Sequence, residues 1–247
     1  DDLPSLRVSS ILIDPTNTNI MYIGTGDRDG GNAPGLGVYK SVDGGASWFV
    51  SNTGMGNNTV GQMLMHPSNP SYILAATSGG VYRSINGGGS WSLESPSNNF
   101  KDMKFQPGNP NIVYAQSQYG WLVRYDKLSG EEVGIKPIAR KDELDYKWNW
   151  DAPLAVSRHK SGRLYFAANK VFKSDDYGNS WEVISEDLSR KINRNELKVY
   201  GRVLSMDAVA KNGSTSPYGT IVSLSESPLD SNLIAVGTDD GLIQITK

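Results

Sequence analysis

The chain contains no cysteine and only 2 histidines among its 247 residues. Without thiols there is no cysteine nucleophile, no thiolate zinc site and no disulfide framework. That absence alone leaves the compartment open, because cysteine-free chains occur on both sides of a membrane. A long apolar run is also missing: no window approaches the roughly 20 residues that a membrane-spanning helix requires. Charge of one sign is missing too. Lys and Arg number 24 against 26 Asp and Glu, a formal net charge of −2, so the chain offers no field for nucleic acid or an anionic membrane. Asp1-Asp2-Leu3-Pro4 shows no basic-then-apolar leader, an appearance that a processed chain shares, so it is no argument for the cytosol.

Glycine and proline are plentiful, at 27 and 12, but they fall between short apolar runs rather than in one tract. This is the punctuation of a turn-rich β protein and not of a disordered one. At this length, with 38% hydrophobic residues, the chain buries a core without staples, and the expectation is a single domain over 1–247.

One octet recurs. Ser41 to Trp48 reads SVDGGASW, Ser84 to Trp91 reads SINGGGSW and Ser174 to Trp181 reads SDDYGNSW. The second interval is about twice the first, which implies a degenerate copy between them, and Tyr125 to Gly130 (YDKLSG) sits where that copy belongs. The pattern suits a hairpin tip: Asp43, Asn86 or Asp176 caps its own turn, Gly45, Gly88 or Gly178 takes the left-handed backbone, and Trp48, Trp91 or Trp181 opens the returning strand. Ser41, Ser84 and Ser174 open the pattern. The expected role of all twelve residues is structural.

Around the octets, further phrases repeat. A first apolar run ends at Asp14-Pro15, His66-Pro67, Gln106-Pro107, Arg158-His159 and Ser227-Pro228, and a second and a third run follow in every unit. Four short antiparallel strands in every 40 to 50 residues or so predict the blades of an all-β β-propeller, whose radial sheets bury both faces. The expected blades cover approximately 6–53, 58–96, 99–140, 151–187 and 217–247, with a long inter-blade loop over 188–216. The fifth holds three strands, so about five blades are visible and the last is incomplete; either the N-terminal segment completes it or the chain is part of a larger ring.

The octets resemble the Asp-box, or BNR repeat, of sialidases, sortilin-type receptor domains and many secreted bacterial propellers. Residues 5–118, through Asn19 to Asp27 (NIMYIGTGD) and Phe100 to Phe105 (FKDMKF), are similar to secreted repeat proteins of Bacteroidetes that carry a C-terminal sorting domain. Residues 146–246, through Trp148 to Pro153 (WNWDAP), Tyr165 to Asn169 (YFAAN) and Gly237 to Ile243 (GTDDGLI), resemble sortilin-like proteins often labelled glycosyl hydrolases. The resemblance implies a bacterial protein at the outer-membrane surface, in the periplasm or outside the cell. It is specific for fold and says little about chemistry, because function resides in sites grafted onto folds.

In such rings the octet turns lie on one face and the long insertions on the other. The insertions here are 24–36, 138–152 and 186–218, and loops longer than a blade needs are where ligand contacts are expected. The middle one gathers Tyr146, Trp148 and Trp150 beside Asp145 and Asp151, with Tyr119 and Trp121 facing them from the preceding blade. Aromatic faces beside carboxylates suit sugar rings, although Trp148 and Trp150 equally suit a plug between blades. Arg202 completes the ligand candidates; with Arg190, Arg194, Tyr200 and Tyr218 nearby it matches no sialidase arginine motif.

Glycoside hydrolysis requires two carboxyls about 5 to 10 Å apart, one of them kept protonated. The candidates are Asp145, Asp151, Asp207, Asp239 and Asp240. Asp27, Asp29 and Asn32 resemble part of a calcium loop without its full pattern or closing glutamate, so calcium is the one cofactor considered. His66 and His159 sit in turns between first and second strands, without partners that suggest a metal or a triad. The leading expectation is a secreted or cell-surface propeller that binds a protein or glycan ligand through its insertion-bearing face, alone or within a larger polypeptide or surface complex. The alternatives are a sialidase- or xyloglucanase-like glycoside hydrolase using paired carboxylates, and a structural module of a larger exported protein.

Overall fold

The computed structural model describes residues 5, 7–29, 33–96, 100–209, 211 and 217–246. They form an all-β propeller fold of successive up-and-down antiparallel sheets. The first sheet contains β1 (Val8–Ile13), β2 (Met21–Thr25), β3 (Val38–Ser41) and β4 (Phe49–Val50). The second contains β5 (Val60–His66), β6 (Asn69–Thr77), β7 (Gly80–Ser84) and β8 (Ser92–Ser95). The third contains β9 (Asp102–Gln106), β10 (Asn109–Gln116), β11 (Leu122–Asp126) and β12 (Glu132–Gly134), and the fourth β13 (Leu154–Val156), β14 (Leu164–Ala167), β15 (Val171–Ser174) and β16 (Glu182–Val183). The segment 188–216 carries a small hairpin, β17 (Lys198–Val199) and β18 (Arg202–Val203), and a 3-10 turn at Arg194–Glu196. Three strands make the last sheet: β19 (Ile221–Glu226), β20 (Ile234–Thr238) and β21 (Ile243–Ile245). In every sheet, neighbours in sequence are neighbours in space, the meander of a propeller blade.

The strands read as the physics of a blade requires. Inner strands are covered on both faces, so β14 is buried along its whole length and β2 along all but its first residue, giving continuous apolar runs rather than alternation. Outer strands β4 and β16 are two residues long and exposed, which limits the unpaired edge they present.

The octets join the third and fourth strands of their sheets. In the first, the Ser41 hydroxyl donates to Asp43 Oδ1 at 2.8 Å and accepts from the Gly45 amide at 2.9 Å, while Asp43 accepts from the amide and hydroxyl of Ser47. The third repeats this with Ser174, Asp176, Gly178 and Ser180, and the second with Ser84, Asn86, Gly88 and Ser90, except that Asn86 Nδ2 donates to the Ser90 hydroxyl. Gly178 has φ +87, and a Cβ there would meet the Ile135 side chain at 2.5 Å, so glycine is required both for the backbone and for the close approach. The degenerate copy turns differently: Asp126 accepts from the Leu128 amide through its side chain and from the Gly130 amide through its carbonyl.

The chain divides into two compact units, residues 1–105, 109–117 and 125–131 in one and 106–108, 118–124 and 132–247 in the other. The first has a core of Tyr22, Val38, Met55, Val60, Met63, Ile73, Ala75 and Trp91. The Trp91 indole N–H donates to the Ser51 carbonyl at 2.7 Å, which satisfies its one polar atom in that core. The second has a core of Tyr165, Ala167, Val171, Ile221, Ile234 and Val236.

Candidate functional site

The insertion that follows β12 folds onto the fourth sheet. Phe166 and Phe172 are register partners across β14 and β15, so both rings project from the same face. Trp148, 8% exposed, lies on that face, stacked on Phe172 at 5.6 Å and 20° and tilted against Phe166 at 4.9 Å. Gly120 makes room for it, because a Cβ there would lie 2.3 Å from the indole. Tyr146 sits edge-on to Phe172 at 4.7 Å. Polar anchors hold the loop: the Lys147 amide donates to Asn169 Oδ1 at 3.0 Å, and Asn149 Nδ2 donates to Thr220 Oγ1 at 2.7 Å.

Between this loop and the sheet runs an open cleft of about 700 Å³. Lys136, Pro137, Ile138, Arg140, Glu143 and Tyr146 form the loop side. Phe172, Asn179, Ser180, Trp181, Glu182 and Val183 form the sheet side, so part of the third intact octet faces the cleft. The Trp181 indole N–H is already engaged, donating to the Ile135 carbonyl at 2.7 Å.

The charges in the cleft are unequally engaged. Glu182 pairs with Lys173 at 2.8 Å. Glu143 accepts from the Tyr146 hydroxyl at 3.2 Å and from the Arg140 amide at 3.4 Å. Burial, with Glu143 adding to it, pushes the Tyr146 phenol above its ordinary range. Lys136 donates to the Tyr119 carbonyl at 2.9 Å and lies 5.0 Å over the Trp148 ring; burial lowers its ammonium, against the smaller opposing pull of Asp145. The guanidinium of Arg140 meets no acceptor among the described residues, whereas Lys136 has the Tyr119 carbonyl, Glu143 the Tyr146 hydroxyl and Glu182 the Lys173 ammonium.

Of the aromatic candidates read from the sequence, Tyr146 lines the cleft. Trp148 lies beneath it as packing. Tyr119 is 41% exposed, edge-on to Trp150 at 5.4 Å, and its amide donates to the Trp150 carbonyl. Trp121 is 57% exposed, and Arg202 lies in the β17–β18 hairpin. Lys136 and Arg140 are the cationic lining residues that the sequence did not single out, and Glu143 and Glu182 are the acidic ones. The one available signal was that two cations flank Pro137 just before the aromatic run.

The candidate acids are dispersed. Asp145 and Asp207 are exposed, and hydrogen bonding from Ser205 lowers the Asp207 carboxyl. Asp151 is half-buried within the loop. Asp239 accepts from the amides of Gly219 and Thr220 and from the Thr220 hydroxyl, and Asp240 accepts from the Arg190 amide and the Thr238 hydroxyl. These two carboxylates tie down loop backbone. Among the described residues, every carboxyl with a clearly displaced titration is displaced downward: Asp14, Asp43, Asp175, Asp176, Asp187 and Asp207.

Asp27 pairs with Arg7 and accepts from the Asp29 amide, and Asp29 contacts Arg28 at 3.3 Å, while Asn32 lies outside the described residues. No group of three or more His, Cys, Asp or Glu suited to a metal occurs among the described residues. His159 Nε2 contacts the Ser227 carbonyl at 2.8 Å, and His66 lies edge-on to Tyr72 and Phe105. No helix among the described residues is long and apolar enough to cross a membrane.

No protein-family model matches the sequence, and no curated protein matches it. Solved structures match the fold. The GH74 xyloglucanase from Xanthomonas campestris has a TM-score of 0.62 and 16% identity, over 95% of this chain and 36% of that one. YCF48 bound to D1 peptide has a TM-score of 0.59 and 13% identity, over 97% of this chain and 63% of that one. The extracellular domain of a putative hybrid two-component system from B. thetaiotaomicron has a TM-score of 0.56 and 16% identity, over 100% of this chain and 28% of that one. The chain therefore spans between about a quarter and two thirds of the length of these structures. At such identities the likeness is one of fold.

Proposed function

We propose that the protein is a glycan-binding propeller whose site is the cleft between the 136–146 segment and the fourth sheet. The carrying observation is the composition of that cleft: half-buried Tyr146 and Trp181, backed by buried Phe172 and Trp148, with charged and amide groups around them. An aromatic face meets the C–H side of a sugar ring, and the polar rim meets its hydroxyls. The fold likeness to a xyloglucanase supports a glycan ligand, and the likeness to an extracellular domain supports action outside the cytoplasm. Binding is favoured over hydrolysis because both acids of the cleft, Glu143 and Glu182, are held in internal hydrogen bonds or ion pairs.

A glycan microarray tests this. The wild-type chain is expected to retain at least one oligosaccharide class, and Tyr146→Ala, with unchanged thermal unfolding, to weaken it about tenfold, equivalent to about 1.4 kcal/mol. Retention of the same sugars at full affinity by Tyr146→Ala would remove this cleft as the site.

A further inference from the structure

We infer that the sugar taken by this cleft carries a carboxylate, as a uronic acid does, and that Arg140 is the residue that reads it. This rests on the glycan reading and specifies its ligand class. Four charged side chains line the cleft: Lys136, Arg140, Glu143 and Glu182. Both acids are already satisfied, Glu182 by Lys173 and Glu143 by the Tyr146 hydroxyl and the Arg140 amide. They leave little demand for a cation from the ligand. Lys136 is spent on the Tyr119 carbonyl and the Trp148 face. The Arg140 guanidinium is the charged lining group with no acceptor among the described residues.

A guanidinium presents a planar fork of N–H donors that matches the two oxygens of a carboxylate. Arg140 lines the same cleft as Tyr146, and its charge opposes the upward shift of that phenol. A pyranose stacked on Tyr146 with its ring carboxylate turned toward Arg140 uses both features at once. A neutral hexose uses only the first. The partly buried ammonium of Lys136 adds to the positive field at that side of the cleft, so the discrimination is expected to weaken as salt rises.

The test is calorimetric titration of the full chain with oligogalacturonate, oligoglucuronate and oligomannuronate, each paired with its carboxyl-reduced neutral counterpart, and with a sulfated galactan. The expected result is that at least one uronate binds tenfold or more tightly than its reduced partner. Arg140→Gln is expected to abolish that difference, Arg140→Lys to restore part of it, and Tyr146→Ala to weaken both members of the pair. Arg140 is exposed, so its variants are expected to unfold at the wild-type temperature. Equal binding of a uronate and its reduced partner would overturn the inference and leave the glycan reading intact. Sulfated galactan bound as tightly as the best uronate would overturn the carboxylate assignment in favour of charge alone. No heat with any of these sugars, together with an empty microarray, would overturn the glycan reading and this inference with it.

Discussion

The Trp181 indole N–H bonds to the Ile135 carbonyl at 2.7 Å, as that of Trp91 bonds to the Ser51 carbonyl at the same distance. Ser51 and Ile135 are each the first residue after a fourth strand, and each also donates its amide to the third strand beside it, at Val38 and Leu122. Trp91 and Trp181 are thus each a stitch from an octet to the end of the preceding meander. At Trp181 the same ring also forms a wall of the cleft.

Removing the stitch while keeping an aromatic ring isolates its energy. Trp181→Phe is expected to lower stability by about 1–3 kcal/mol, because the Ile135 carbonyl loses its donor. Denaturant unfolding measures it. A wild-type midpoint would show that the bond carries no net stability.

Gly120 is the space into which Trp148 packs. Gly120→Ala places a methyl group 2.3 Å from the indole at a position with φ +74, so overpacking and a left-handed backbone act together. The expected loss is about 2–4 kcal/mol by thermal or denaturant unfolding, with a changed near-ultraviolet signal from the displaced ring. Substitution at Gly130, where a Cβ meets nothing within 4 Å, is the matched control for backbone strain alone.

The propeller was legible because an octet with fixed Ser, Asp or Asn, Gly and Trp positions has few alternatives to a hairpin tip, and its spacing sets the size of the repeat. The middle insertion was legible as extra chain rich in aromatics. Its destination was not. Nothing in the order of Tyr146, Trp148 and Trp150 tells that Trp148 descends onto Phe166 and Phe172 while Tyr146 remains at the cleft, since that depends on space left by Gly120, far away in sequence. For the same reason nothing in the sequence singles out Lys136 or Arg140, and Asp239 stands as a candidate acid there although it accepts three hydrogen bonds from Gly219 and Thr220.

Acid sensitivity tests the octet turn. The Ser47 hydroxyl, with the Ser47 amide and Ser41 adding to it, draws the Asp43 carboxyl down to about 2. A carboxyl depressed in the folded state contributes stability above its unfolded value of about 4, and that contribution is lost as pH falls toward about 2. Asn86 accepts the equivalent bonds from Ser84 and the Ser90 amide in the second octet, and donates to the Ser90 hydroxyl, without titrating. Asp43→Asn is therefore expected to fold and to show a shallower loss of stability over that acid range, followed by urea midpoints against pH. An unchanged slope would mean the turn contributes nothing to acid unfolding.

His66 and Lys127 form a second titrating pair. The Lys127 ammonium lies 4.4 Å over Tyr72 and 5.3 Å over Phe105, the two rings that His66 meets edge-on. Burial first and Lys127 second hold the imidazole below its ordinary range. Lys127→Met is expected to raise the imidazole pKa, yet leave it below the ordinary value of about 6.5 because the burial remains. The sign for stability follows: as pH falls below about 6.5 the unfolded chain takes up the proton first and stability declines, less so in the variant. Proton NMR of the imidazole follows the titration directly.

The cleft is most directly tested by the indole N–H resonances of the 6 tryptophans during titration with a bound oligosaccharide from the array, observed in a ¹⁵N-labelled chain. The expected result is a saturable shift of Trp181, whose ring lines the cleft, with a smaller shift of Trp148 beneath it, while Trp48 and Trp91 stay fixed. Saturable shifts confined to Trp121 or to the octet tryptophans Trp48 and Trp91, with Trp181 unmoved, would place the sugar elsewhere and contradict the assignment.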